Sequence, residues 1–593
     1  MRVRGVCYVR ALRNWRWHGD TALTKKTISG FALAGLLGMG SLAVAAAAQT
    51  PIPPPGFYPV ASTDAGNPYA EMHWRMIGPT RGGRARAVSG VAGQPNVAYI
   101  GFDNGGVWRS TDYGSNWHPL FDGQDTGSIG AIAVAPSNPN IIYVGTGAGI
   151  IRPDLATGDG MYKSTDAGKT WTHLGLRDSQ MIAAIDVDPT NPDRLFVAAL
   201  GHPYGPNPER GIFRSTDGGK TFQKVLYKDE YTSGNDVHID PRNPNIVYAG
   251  LWQQQQGYSE STEFGGAGNG MFKSTDGGTT WKHLTNGLPS QIEANIALAP
   301  SNSNVLYAMV AYDSPKARSH TTGEIDLFRS NDGGEHWHLA IDDPSVPAAS
   351  RPKQTDSRPL ERIGGGDLST LAVDPKDENI VYTASRVFWR SEDGGATWTA
   401  VRGSPGGDDY QKIWINPDHP NILIVVADQG GVVSSNRGNS WSNWYTQPTA
   451  AMYHASTDNS FPYRVCGGQQ DSGSACVDSR SNDGMITFRD WRPVNIQEYG
   501  VASSDPKVPD LVFGSMRSNI SLYNFKTGQT TYVGPDTKAK DPKTGEMFNR
   551  NVRTMPLEWS PVDDKILYYG SNAVWKSTDQ AHTWTRISPD LSR

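Results

Sequence analysis

The chain has 593 residues, room for several ordinary domains or for one or two large repeat-built ones. With 18 Trp, 24 Tyr and 16 Phe it has too much apolar area to bury for a disordered chain, and its 66 Gly argue against a helical bundle. A formal charge of −5 speaks against nucleic acid as a partner.

In chain order, Lys25 and Lys26 precede an apolar run over 28–48 that ends in alanines. This is the pattern of a signal peptide over 1–48, cleaved after Ala48, and it predicts a periplasmic or extracellular protein. Removing it takes the charge to −11. No later stretch is long and apolar enough to span a bilayer, so no stable membrane span is expected after cleavage. Residues 49–68, with Pro51, Pro53, Pro54 and Pro55, read as a stiff spacer, and the folded part is expected over 69–593.

From there a repeat takes over. The string Ser-x-Asp-x-Gly-x-Thr-Trp, with small variations, places an acid at Asp112, Asp166, Asp217, Asp276, Asp332, Asp393 and Asp579, and a degraded copy puts Asn436 in the same position. Ahead of each string lies a second element: an apolar strand, a Pro/Asn turn, and a strand ending in Tyr and a small residue. SIGAIAVAPSNPNIIYVGTG over Ser128–Gly147 is the clearest copy. That element recovers two further units, one containing FPYRVCGGQQDSGSACVDS and one containing SSDPKVPDLVFGS, for a total of ten.

Each unit reads strand, turn, strand, variable loop, strand, Asp-containing turn, strand. Four short antiparallel strands at a period near 50 describe the blade of a β-propeller, so the expected fold is all-β, with ten blades. The repeated Asp is expected to cap the amides of its own turn. One carboxylate and one hydroxyl are too few for calcium, and no metal is expected there. Met72–Gly78 resembles an outer strand that could close a ring.

The repeated turn resembles the Asp-box of bacterial neuraminidases, the BNR repeat. The blade pattern resembles a superfamily that includes sialidases, the xyloglucan-active two-propeller glycoside hydrolases and the luminal ten-bladed domain of sortilin-like sorting receptors. From WRMIGPTRGGR to WTRISPDLSR the chain looks like exported bacterial proteins labelled sortilin-like or glycosyl-hydrolase-like. The resemblance covers essentially all of 69–593. It implies either a single ten-bladed ring, the favoured division, or seven blades plus three. Its Asp-box is specific for fold and says little about reaction.

Function is expected on the face opposite the repeated turns. Asp103 in GFDNGG, Asp428 in ADQGG and Asp471 in QQDSG stand in equivalent loops there, each two residues before a Gly. They are the candidate catalytic acids, with Asp408 and Asp409 in reserve. Asp103 also matches the catalytic Asp of the xyloglucanase-like pattern. Glycoside hydrolysis needs two carboxyl groups, about 5–5.5 Å apart for retention or about 6.5–9.5 Å for inversion. In a ten-unit ring Asp428 and Asp471 are neighbours and Asp103 is remote; in a seven-unit ring Asp103 meets Asp428. The alternative for each acid is to cap its own turn.

Arg81, Arg84 and Arg86 could fork a carboxylated ligand. Tyr204, Trp252 and Tyr258 could stack on sugar rings. Cys466 and Cys476 could bond across a hairpin. No motif calls for a cofactor, since neither a paired His spacing nor a dinucleotide loop is present. Two readings follow. One is an exported glycoside hydrolase acting on a polysaccharide or glycan through paired carboxylates. The other is a non-catalytic sortilin-like propeller that binds a protein, peptide or glycan.

Overall fold

The computed structural model describes residues 75–592 apart from 151–154, 257–261, 265, 316–322, 363–367, 518, 536–544, 546–549 and 552–553. The expected signal peptide, the spacer and Tyr258 lie outside the described residues. The rest forms ten antiparallel sheets, each a meander of consecutive strands. The first runs Ala85–Val91, Gln94–Phe102, Gly106–Ser110 and His118–Pro119. The tenth ends with Val574–Ser577 and Thr585–Arg586. The seventh has three strands among the described residues, and the fourth carries one extra short strand. The two units lacking the repeated string are present as the eighth and ninth sheets, as expected.

Several of the second strands are short, continuous apolar runs. Leu423–Ala427 is buried along its whole length, and so is Leu195–Ala199. A strand reads that way only when both faces of its sheet are covered, here by the sheets on either side. Core clusters accordingly cross sheet boundaries: Ala87 and Tyr99 of the first sheet pack with Ile132 and Val144 of the second.

Hydrogen bonds also join successive sheets at their first strands. Val134 N–H donates to Ser89 Oγ at 3.2 Å, Ile239 N–H to Asp186 Oδ2 at 2.7 Å and Ile296 N–H to Asp236 Oδ2 at 3.2 Å. Thr370 Oγ1 donates to the Gln411 carbonyl at 2.6 Å. The same device joins the seventh sheet to the first, where Asn416 Nδ2 donates to the Ala92 carbonyl at 3.2 Å. Ile424, Val426 and Trp414 of the seventh sheet share a core with Ala98, Ile100 and Trp108 of the first. Gly90 leaves room for the Trp414 ring, which would lie 2.3 Å from a Cβ there. Of the closing strand expected over Met72–Gly78, residues 72–74 lie outside the described residues and Arg75–Gly78 forms no strand; Arg75 donates to the carbonyl of Ser479, next to the eighth sheet, at 2.6 Å.

The repeated turns work as expected of structural caps. In the fourth sheet Ser274 Oγ donates to Asp276 Oδ1 at 2.8 Å, and Asp276 collects the amides of Thr279 and Thr280 and the Thr280 hydroxyl. Asp112, Asp166, Asp217, Asp332, Asp393 and Asp579 repeat the bond from Ser. Asn436 keeps it too, which is why the degraded copy still folds as a turn. The indole of Trp117, Trp337 or Trp398 donates to a Gly carbonyl three residues back. In the eighth sheet Cys466 and Cys476 stand directly opposite each other and are disulfide-bonded.

Donors crowd the turn carboxylates and hold them low: the Thr221 hydroxyl and amide bring Asp217 to about 2, and those of Thr583 do the same for Asp579. A carboxylate lowered by folding stabilises above its unfolded value and loses that contribution as pH falls through its folded one. Thermal melts from pH 7 to 2 should therefore show a midpoint that is steady above about pH 5 and falls between about pH 4 and 2. Replacing Asp217 and Asp579 by Asn should flatten that fall.

Candidate functional site

The segment PTRGGR enters the first sheet through a narrow gap. Gly82 N–H donates to the Trp444 carbonyl at 3.0 Å, and its own carbonyl accepts from Gln469 Nε2 at 3.0 Å. Gly83 N–H donates to Thr449 Oγ1 at 3.3 Å. A Cβ on Gly82 would sit 2.2 Å from the Gln429 carbonyl oxygen, and one on Gly83 would sit 2.3 Å from that of Thr449. The two glycines let the strand thread between the loops of the seventh and eighth sheets, and this threading places Arg84 among the candidate acids.

Three of those acids meet on its guanidinium. Nη2 contacts Asp428 Oδ2 at 2.7 Å and Asp471 Oδ2 at 3.4 Å, and Nε lies 3.6 Å from Asp103 Oδ2. The carboxylates come from the first, seventh and eighth sheets. Asp103 and Asp471 lie no more than roughly 9 Å apart, since both touch one planar guanidinium. One oxygen each of Asp409, Asp428 and Asp471 lies within 4.8 Å of the others. The Asp428 side chain is fully buried, that of Asp103 is 6% exposed and that of Asp471 is 25% exposed.

Burial pushes the Asp428 carboxyl up to about 7 against the pull of Arg84, and the Asp471 carboxylate beside it adds to the rise. Asp471 is raised too, by burial first and by Glu498 next to it. Burial opposes the charge of Arg84, but Asp428 and Asp103 outweigh it and hold the guanidinium firmly protonated. One cation therefore faces several acids, and the Asp428–Asp471 pair retains a proton near neutral pH. Asp409 and Asp471 both have left-handed backbones, at φ 45° and 47°, a conformation that non-glycine residues adopt only when their surroundings enforce it.

A set of buried glutamines that sequence reasoning missed supplies that enforcement. Gln411 Nε2 donates to Asp428 Oδ1 and to the Asp409 carbonyl, both at 2.9 Å, while its Oε1 accepts from Arg86. Gln429 Nε2 reaches Asp408 Oδ1 and the Asp471 carbonyl. Gln470 Nε2 donates to Asp471 Oδ2, and its Oε1 accepts from the Tyr453 hydroxyl. Two of these glutamines adjoin the acids in sequence, in ADQGG and QQDSG, and that adjacency was the readable signal. Glu498 joins them, its Oε2 accepting the Asp471 amide at 2.8 Å.

The cluster lies beside a cleft of about 760 Å³ between the loops of the first sheet and the segment Pro448–Tyr453. Arg84, Asp103 and Gln470 line it together with Trp108, Phe121, Met452 and Tyr453. Polar and apolar groups contribute to its wall in about equal measure.

Other expectations are corrected. Arg81, Arg84 and Arg86 are buried and offer no open fork to a carboxylated ligand. Arg84 is taken up by the acids and Arg86 by Gln411 and the Gly149 carbonyl. Arg81 bonds Gln469 at 2.6 Å and lies over the Trp491 ring. Trp252 is 4% exposed and packs in the core with Met309 and Leu327, so it presents no stacking face to solvent. Tyr204 is exposed, and Arg210 steadies its loop by donating to the His202 and Gly205 carbonyls.

Comparison with known proteins agrees with this architecture. The family described as "Sortilin, neurotensin receptor 3" matches residues 105–228 and 159–291. The chain is distantly similar to GH74 xyloglucanases. It is 26% identical to xyloglucanase Xgh74A of Acetivibrio thermocellus over 350 residues, 52% of this chain and 37% of that one. It is 23% identical to a xyloglucanase of Hypocrea jecorina over 471 residues, 70% of this chain and 51% of that one. The chain thus spans about half or less of these relatives' length. Among solved structures, an ancestral GH74 enzyme superposes with a TM-score of 0.58 at 19% identity, over 88% of this chain and 72% of that one. The Niastella koreensis GH74 enzyme gives 0.53 at 19% identity, over 86% and 73%. These likenesses show a common fold.

Removing the guanidinium leaves buried acids without their cation. Arg84→Met should destabilise the protein by about 3–5 kcal/mol at pH 8. The loss should shrink at pH 5, where the acids take up protons. Denaturant unfolding at the two pH values checks both the size and the sign.

Proposed function

We propose that this chain hydrolyses glycosidic bonds of a neutral polysaccharide, with Asp471 as proton donor and Asp103 as the second carboxylate. The observation that carries this reading is the convergence of Asp103, Asp428 and Asp471 on Arg84, which together with Asp103 lines one cleft. Asp471 is the acid of the three with an exposed edge, and its raised pKa suits a group that must hold a proton before donating it. Asp103 lines the cleft on the other side of the cation. Asp428, buried behind both, holds charge and proton in place without touching substrate, in contrast to the catalytic role expected for it.

A neutral ligand follows from the arginines, all of which are engaged within the protein. The similar xyloglucanases make xyloglucan the first substrate to try. Tyr204 and Tyr231 are exposed on loops joined through Arg210, which donates to the Tyr231 and His202 carbonyls; they are the stacking residues of this reading. We also infer that the first seven sheets close one ring and the last three belong to a second unit, the seven-plus-three division. The shared core of the first and seventh sheets supports this, and so does the meeting of Asp103 with Asp428. Export through a signal peptide over 1–48 would place the enzyme in the periplasm or outside the cell, where such polymers occur.

Release of reducing ends from xyloglucan and other polysaccharides is the test. Asp471→Asn and Asp103→Asn should each lower kcat by about 10²–10⁴. Tyr204→Ala should raise KM and leave kcat in place. The anomeric form of the first product tells whether Asp103 attacks the sugar or activates water. If the wild-type chain binds polysaccharide and releases no reducing ends, the non-catalytic binding propeller replaces this reading.

A further inference from the structure

The polar groups of the cleft fall into two sets. Of the described residues that line it, Arg84, Asp103 and Asp122 carry charge. Arg84 and Asp103 are buried and face each other, and Gln470 is spent on Asp471 and Tyr453. The second set is unspent. Asn104 follows Asp103 in the loop between the second and third strands of the first sheet, and Asp122 and Gln124 lie in the loop that leaves its fourth strand. Asn104 and Asp122 are exposed, and Gln124 is half-buried. None of these three side chains has a hydrogen bond or ion pair among the described residues.

Their loops are nevertheless firmly held. Leu120 N–H donates to the Val107 carbonyl and Gly106 N–H to that of Gly127, both at 2.8 Å, so residues 120–127 are tied at both ends to the third strand. Gln124 N–H donates to the Phe121 carbonyl at 3.0 Å and closes a tight turn with Asp122 at its head. Phe121 anchors that turn edge-on against Tyr162 and Trp171, with ring centroids 5.1 and 5.2 Å away. Burial alone raises the Asp122 carboxyl, as it should for a group that faces a cleft and no cation.

We infer that Asn104, Asp122 and Gln124 form a sugar subsite beside Asp103, in which Asp122 accepts two adjacent hydroxyls of a neutral glycan. A carboxylate on a rigid turn, with no donors of its own, has both oxygens to offer, and a vicinal diol brings two O–H groups to them. The amides of Asn104 and Gln124 each donate and accept, as a hydroxyl does, and they complete the edge of the same ring. The subsite also selects. Asp122 is the one charge in the described lining without a counter-charge, so it repels a carboxylated sugar while it holds a neutral one. The subsite rests on the glycan-hydrolase reading for its ligand, and it does not depend on which acid donates the proton.

The experiment is affinity electrophoresis of the full chain through native gels containing xyloglucan, mixed-linkage β-glucan or galactomannan, with melting temperatures measured alongside. At least one of these neutral polymers should retard the wild type, and polygalacturonate should not. Asp122→Ala should weaken the retarding interaction at least about tenfold, the loss of a hydrogen bond to a charged group. Asn104→Ala and Gln124→Ala should each weaken it about threefold. None of the three should lower the melting temperature, because these side chains hold nothing else in place.

A wild type that no neutral polymer retards, or that polygalacturonate retards as strongly, overturns the subsite. So does an Asp122→Ala chain that binds as the wild type does, or one whose weaker binding comes with a lower melting temperature, which would make Asp122 a structural residue. Retardation without release of reducing ends sinks the hydrolase and leaves the subsite standing. Release of reducing ends that Asp122→Ala leaves unaltered sinks the subsite and leaves the hydrolase. Where hydrolysis is found, Asp122→Ala should raise KM more than it lowers kcat. A fall confined to kcat would make Asp122 an acid of the reaction and overturn its role in holding the sugar.

Discussion

A single buried cation organises this molecule. Arg84 is removed from water and is tolerated there because carboxylates from three sheets surround it. The dependence runs the other way too. Asp428 is fully buried and Asp103 nearly so, and neither charge could be kept in that place without a counter-charge. The first, seventh and eighth sheets are therefore fastened by one electrostatic knot. The approach of PTRGGR, made through two glycines that leave no room for a side chain, exists to bring the guanidinium to it.

The neutral frame around the knot follows from the same constraint. A further cation would extinguish the excess negative charge, and a further carboxylate would overload it. A glutamine amide donates at one end and accepts at the other, so it links charged groups without altering the balance. Gln411, Gln429 and Gln470 all do this, and each is tied at its far end to a residue that cannot move easily. The left-handed backbones of Asp409 and Asp471 are sustained by that lattice. Pockets prepared in this way need little rearrangement when charge develops in them.

Much of the fold could be read from the chain because it rests on local rules. The Ser–Asp–Gly–Trp turn is complete within eight residues, and the apolar second strand shows its burial in its own composition, so ten units were countable. The loops bearing Asp103, Asp428 and Asp471 were legible for the same reason, since each lies at a fixed place in its unit. What was hidden is long-range. Whether Asp103 is near Asp428 depends on which sheets adjoin, and no repeat string records that. Arg84 looked like a surface fork because its neighbours in sequence are small, whereas its burial is decided by residues more than three hundred positions away. Trp252 looked like a platform because its loop is polar, whereas its ring turns into the core between neighbouring sheets. The glutamines were read past because uncharged amides carry no chemistry alone.

The threading of Gly82 and Gly83 also constrains the order in which the chain can be finished. The bonds that close the knot join residues 344 and 387 positions apart. During synthesis the N-terminal side of that pairing emerges first and must wait until the seventh and eighth sheets have been made. Contacts of such long range form late and slowly, because the loop they close is long. Until then PTRGGR is an arginine-rich strand with only Asp103 of its own sheet to meet. The acid cluster thus cannot come together before the eighth sheet is made, and a chain interrupted ahead of that sheet would hold its early sheets and no site.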